Sequence, residues 1–293
     1  MRMLIILVLT GLISRSNSIP AGDWQQVKSE IQKLIKQSGG TVAIAFEDLK
    51  TGKTFYLNEK VAMHAASTMK TAVMIEVFKQ AQQGRFQLSD SLLVKNEFRS
   101  IVDGSPFSLD IKEDSDDMVY RQIGHKMAIR GLVYQMITMS SNLATNILIE
   151  LVTAKAVMQT MQEIGAHRIR ILRGVEDPKA FQKGLNNTTD AYDMLLIMKA
   201  IAQKTVVTPV ACEEMIGILT DQKLNKKIPA LLPPTVKVAH KTGSIFSIDH
   251  DAAIVYKSPD HAYILVVLTR GIQDHQQAEA LIARISRLIY DAI

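Results

Sequence analysis

The sequence predicts an α+β fold of three layers (α/β/α), an antiparallel five-stranded sheet flanked by the N- and C-terminal helices, with an inserted all-α lobe. Three observations predict it. β-type runs lie at both ends of the chain: "TVAIAFEDLKTGKTFYL" near the start, and "VKVAHKTG", "DAAIVYKS" and "AYILVVLTRG" near the end. Short connections such as "KSPDH" suit antiparallel pairing, because a parallel crossover needs a dozen or more residues. Between these ends, from Val61 to Lys204, helical periodicity and long polar connections take over.

The elements follow in order. Arg2, the apolar stretch Leu4 to Ile13 and the small residues Ser16 and Ser18 read as a cleavable secretory signal over 1–18. The apolar stretch is short of the ~20 residues that a membrane-spanning helix needs. "DWQQVKSEIQKLIKQSG" then places Val27, Ile31, Leu34 and Ile35 on one helical face and ends at Gly39. The run from Thr41 to Leu57 turns at Asp48 to Gly52 and reads as a hairpin. The chain closes on a helical stripe of Ala280, Leu281, Ile285, Leu288 and Ile289. These boundaries predict a sheet-plus-helices lobe from 19–60 and 205–293, and a mainly helical lobe from 61–204. The cleft between two such lobes is a common place for a small-molecule site.

Composition narrows the function classes. A formal charge of +5, two of it from Arg2 and Arg15 in the leader, is too mild and too scattered for nucleic acid. Cys212 is the single cysteine, so no internal disulfide forms and the core must supply stability; a buried, inert thiol is expected. The 7 histidines show no His-x-His or His-Glu-x-x-His spacing, so neither a zinc centre nor another metal or cofactor is expected. The acidic run Glu113 to Tyr120 lacks the ligand spacing of a calcium loop and reads as a solvated connection.

Three stretches carry chemistry. "ASTMKTAV" sets Ser67 and Lys70 one turn apart at a helix start, where free N–H groups favour negative charge beside the serine. A lysine held among apolar neighbours there loses proton affinity and can act as a base. Alone, the pattern favours the plainer reading of a polar cap with a solvated lysine. "TMSSNLATNILIE" places Ser140 and Asn142 on a polar turn before an apolar helix, and "AHKTGSI" places Lys241, Thr242, Gly243 and Ser244 at a strand end. There Gly243 would admit a substrate backbone, and Lys241 would offer a fixed positive charge to a carboxylate.

Taken together, Ser67-Thr-Met-Lys70, Ser140-Ser-Asn142 and Lys241-Thr-Gly243 resemble the three motifs of the serine β-lactamase and penicillin-binding protein superfamily, most closely class A β-lactamases. The resemblance spans the mature chain and implies the same two-lobed fold. It implies that Ser67 attacks a β-lactam carbonyl, that Lys70 is its base or proton relay, and that Ser140 protonates the departing ring nitrogen. Asn142 would bind the substrate's side-chain amide. Lys241 and Thr242, assisted by Ser244, would hold its carboxylate. The backbone N–H groups of Ser67 and Ser244 would form the oxyanion hole. The implied protein is an exported, periplasmic or secreted monomer with a small β-lactam as partner and no membrane anchor.

The sequence also departs from that family. Ser141 stands where class A enzymes carry aspartate, and no intact Glu-x-x-Leu-Asn loop is present. Within "LRGVEDPKAFQKGLNNTTD" two residues compete for the deacylating position. Glu176 follows Arg173 at the implied spacing, whereas "QKGLN" would put Gln182 there, and glutamine cannot accept a proton. Spacing and Arg173 favour Glu176, which could otherwise be a loop carboxylate paired with Arg173. Asn186 or Asn187 would stand in for the missing asparagine. His240 and His250 read as hydrogen-bonded structural histidines. Two further readings stay open: a D,D-peptidase-like hydrolase of cell-wall peptides, and a secreted binding domain without catalysis.

Overall fold

The computed structural model describes residues 23–293; the expected leader, 1–18, lies outside the described residues. Helix α1 (Trp24–Ser38) starts where Asp23 accepts a hydrogen bond from the Gln26 amide at 3.0 Å, and stops at Gly39 with φ 70°. Strands β1 (Thr41–Asp48) and β2 (Thr54–Leu57) form the expected hairpin. The C-terminal strands are β3 (Lys237–Ile245), β4 (Ile248–Ser258) and β5 (His261–Arg270). All five make one antiparallel sheet in the order β2-β1-β5-β4-β3, with Thr41 opposite Arg270 and Thr242 opposite Asp251.

The middle of the chain supplies α2 (Lys70–Gln82), α3 (Ile129–Thr138), α4 (Asn142–Val152), α5 (Ala154–Ile164), α6 (Pro178–Gln182) and α7 (Ala191–Ala202). Helices α8 (Pro209–Thr220) and α9 (His275–Ala292) complete the described set. No helix among the described residues is long and apolar enough to cross a membrane.

Alternation along the strands sorts side chains into two cores. Val42, Ile44 and Phe46 of β1, with Tyr263, Leu265 and Val267 of β5, face the layer of α1 and α9. Ala43 and Ala45, with Ile264, Val266 and Leu268, face the helices of the middle segment. Both faces are covered, which is why these strands read as continuous apolar runs without polar alternation. Helix α2 is buried from Lys70 through Phe78 and touches α3, α4, α5 and α8, so it forms the axis of the second core. Cys212 is buried in that core, as expected.

Two details differ from the sequence reading. The middle segment is not wholly helical: Ser91–Leu93 pairs with Lys126–Ala128, and Phe98–Arg99 with Pro106–Phe107. Ladders of two or three residues are too short to show periodicity. The acidic run is not merely a solvated connection. Asp116 is buried and accepts from the Met118 amide at 2.9 Å, while Asp114 folds onto the start of α4.

Candidate active site

Ser67 sits on a 3₁₀ turn, Ala66–Met69, that runs directly into α2. The turn is held from both sides. The Ala65 amide donates to Asn187 O at 2.8 Å, the Ala66 amide to His64 Nδ1 at 3.0 Å, and Met63–His64 pair with Thr188–Thr189. Ala66 has φ 45°, a left-handed conformation that an alanine adopts only under constraint. Ser67 itself stays partly exposed.

Lys70, one turn on, is fully buried. Its Nζ donates to Ser140 O at 2.6 Å and Asn142 Oδ1 at 2.7 Å, and lies 3.3 Å from Ser140 Oγ. Burial pulls the ammonium pKa down to about 7, against the upward pull of Asp114 and Glu176. A neutral amine has two N–H groups and one lone pair. The two short contacts use the N–H groups, so the lone pair is left for a proton.

Ser140 occupies the bend between α3 and α4 with φ 61°, and its Oγ accepts from Lys241 Nζ at 3.1 Å. One hydroxyl therefore lies between two lysines from different layers. Ser141 accounts for its departure from the family pattern by capping α4, accepting from the Ala144 amide at 3.3 Å. A carboxylate reaches the same helix start from Asp114, whose Oδ2 takes the Asn142 and Leu143 amides at 2.8 and 3.1 Å.

Asn142 links Lys70 to the loop after α5, because its Nδ2 donates to Glu176 Oε1 at 2.6 Å. Glu176 is half-buried with φ 58°; burial pushes its carboxyl up, Asp114 adds to that, and the Asn142 bond and Lys70 oppose it. Gln182 is exposed on α6, so only the Glu176 register brings a loop side chain to Asn142. Arg173 is not its ion-pair partner; the guanidinium donates to Leu185 O and Gly174 O, each at 3.0 Å. Asn187 also departs from expectation. It is buried, accepts from the Leu172 amide at 2.8 Å and donates to Arg173 O at 3.0 Å, so it closes the loop instead of facing the site.

Lys241, Thr242, Gly243 and Ser244 lie along the edge strand β3, against the Ser67 turn. Lys241 is fully buried, and burial, with Lys70 and Lys227 beside it, lowers its pKa well below the ordinary value. Gly243 meets the protein itself. A Cβ there would lie 3.0 Å from Ala66 Cβ and 3.0 Å from the Ser67 amide nitrogen. Gly243→Ala is accordingly expected to cost about 1–3 kcal/mol and to displace the Ser67 turn, read as a lower denaturant midpoint and slower labelling of Ser67. The Ser244 hydroxyl donates to Asp249 Oδ1 at 2.8 Å and accepts from Lys227 Nζ at 2.7 Å.

Both histidines near this strand are structural. His240 is buried between Asp251 Oδ1 at 2.9 Å and Asn225 Oδ1 at 3.0 Å. His250 donates from Nε2 to His64 O at 2.9 Å, bracing the segment before Ser67, and burial lowers its pKa to about 4.

A profile of the β-lactamase enzyme family matches residues 26–293. The chain belongs to this family. A curated β-lactamase of Bacteroides uniformis is 24% identical over 310 residues, covering 100% of each chain. Among solved structures, the β-lactamase of Sphaerobacter thermophilus superposes with TM-score 0.80 at 24% identity, covering 92% of this chain and 97% of its own. PBP-A superposes at 0.79 with 24% identity, covering 94% and 98%. An ancestral class A β-lactamase gives 0.79 at 22% identity, covering 92% and 100%. These structures share the fold, and membership of the β-lactamase enzyme family makes the protein a hydrolase.

Sequence reasoning missed Asp114. As part of an acidic run it looked solvated, and its one signal was the aspartate missing from position 141. Removing its charge has a defined sign. Asp114 holds the Lys70 and Glu176 pKa values up. In Asp114→Asn both groups should therefore lose protons at lower pH, moving the pH profiles of acylation and deacylation in the acid direction. A stability loss of about 0.5–2 kcal/mol from the weakened α4 cap is expected alongside, read by denaturation.

Proposed function

We propose that this β-lactamase-family hydrolase is a class A-type serine β-lactamase, exported and monomeric, that opens the β-lactam amide through a Ser67 acyl-enzyme. Neutral Lys70 takes the Ser67 proton as Oγ attacks the carbonyl carbon. The oxyanion is held by the Ser67 and Ser244 amides, each donor worth about 3–4 kcal/mol in the transition state. Ser140 passes a proton to the ring nitrogen as the C–N bond breaks, and the two lysines at its hydroxyl supply the return path. Lys241 and Thr242 hold the substrate carboxylate. The Ser244 hydroxyl is engaged by Asp249 and Lys227, so its side chain assists through that network. Glu176 then takes a proton from the water that attacks the ester. The observation that carries the reading is Lys70: a buried amine titrating near neutrality, bonded to both Ser140 and Asn142, one turn from a partly exposed serine.

One observation favours a second reading. Asn187 is consumed in closing the loop and Asn186 Oδ1 accepts from Arg173 Nη2 at 3.5 Å, so neither expected asparagine is bonded to Glu176. That suits a D,D-peptidase-like enzyme, acylated by cell-wall peptide and slow to release a β-lactam. PBP-A has been solved, as a point mutant, in acyl-enzyme complex with penicillin G. Mature protein mixed with a chromogenic cephalosporin and a fluorescent penicillin separates the two. Multiple turnovers with rapid loss of label from Ser67 are expected; one stoichiometric, long-lived label would replace the lactamase with the peptidase, and no label would sink both.

A further inference from the structure

The strand that carries Lys241 borders a second space. Beyond Thr242 and Ser244 lies a cavity of about 230 Å³, whose walls include Lys223, Lys226, Lys227 and Glu279. The three lysines come from one short stretch, "QKLNKK", between α8 and β3. Lys227 is buried and saturated. Its Nζ donates to Ser244 Oγ at 2.7 Å, Gly243 O at 3.1 Å and His250 O at 3.3 Å, and pairs with Asp249 Oδ1 at 2.9 Å. The other Asp249 oxygen meets His275 Nδ1 at 2.7 Å. Lys227 is therefore a brace that fixes Ser244 at the mouth of the cavity, with its charge balanced by Asp249. Lys223 and Lys226 differ: both are exposed, and neither forms an ion pair with a described residue. Glu279 leaves the walls with an excess of positive charge.

We propose that this cavity is a second anion subsite, and that the protein prefers acyl donors whose leaving-group half carries a carboxylate beyond the one held by Lys241 and Thr242. The proposal rests on the acyl-transfer reading above. In that reading the leaving-group half lies over Thr242 and Ser244, so a substituent extending past Ser244 enters the cavity. The volume suits a short acidic arm of a few heavy atoms. The two exposed ammoniums attract it through water, with a strength that salt screens.

Two cephalosporins that differ only in the C-3 substituent, one neutral and one ending in a carboxylate, test this by the rate of Ser67 acylation, read as intact-protein mass. At low ionic strength the acidic probe is expected to acylate about fivefold faster. In the double variant Lys223→Gln/Lys226→Gln that ratio should fall to about one, and about 0.5 M salt should do the same to the unaltered protein. Equal rates in the unaltered protein, or a ratio that survives the double substitution, overturn the subsite. If neither probe acylates Ser67, the lactam reading fails and glutarate tests the cavity by itself. It should shift the amide resonances of residues 223–227 in the unaltered protein at concentrations where acetate does not, and leave the double variant unchanged. No such shift also overturns the proposal.

Discussion

Glu176→Gln is expected to leave acylation of Ser67 within a few-fold of the unaltered rate and to slow deacylation by about 10²–10⁴. The substitution keeps an oxygen to accept from Asn142 Nδ2, so the 2.6 Å contact and the loop around it can persist. What is lost is a group able to take a proton from water. Acyl-enzyme should accumulate to one equivalent on a penicillin and be visible by mass. Gln182→Ala, on the exposed face of α6, serves as the comparison and should turn over normally. If instead Glu176→Gln deacylates at the unaltered rate, some other group activates the water and the role given to Glu176 is wrong.

Lys70→Met should act on the other half of the cycle, lowering the rate of Ser67 labelling by about 10²–10⁴. The thioether fills similar space but has neither proton nor useful basicity. Ser140 O and Asn142 Oδ1 lose their donor, at a cost of about 1–3 kcal/mol for each acceptor left buried and unpaired. Removing a desolvated amine offsets part of that cost, so folding should change far less than labelling. The pH profile distinguishes a base from a spacer. Acylation by the unaltered protein should rise as pH passes about 7, where the amine gives up its proton, and then level. In Lys70→Met that rise should disappear. A variant that keeps the same midpoint would show that another group titrates.

Much of the fold was legible because its signals are local. Asp23 and Gly39 bracket α1 in the sequence as they do in space, and the stripe of α9 needs only periodicity, although Ala280 of that stripe is exposed. Ser67 and Lys70 were legible for the same reason, being one turn apart. The partners that make them a site are long-range contacts that leave no local pattern. Asp114 reaches the start of α4 from 28 residues earlier in the chain, and His250 braces His64 from 186 residues later. Gly243 was recognised as a close-approach glycine, but which surface approaches it depends on packing that sequence spacing does not encode. The left-handed backbone at Ala66, Ser140 and Glu176 was equally silent, since none of these residue types favours it.

The order of the sheet has a consequence for how the molecule is made. Strand β1 lies between β2 and the central strand β5, and Thr41 finds Arg270 only when nearly the whole chain exists. At roughly 5–20 residues per second, on the order of ten seconds or more of synthesis separates the two strands. During that interval the apolar faces of the hairpin have neither β5 nor α9 to cover them. Closing so long a loop adds little to the equilibrium cost, which grows only logarithmically, but it delays the nucleus. The sheet therefore completes last, after the helices around α2 have had time to form on their own local contacts. A chain stopped before β5 would hold β3 and β4 but lack the strand that joins them to β1.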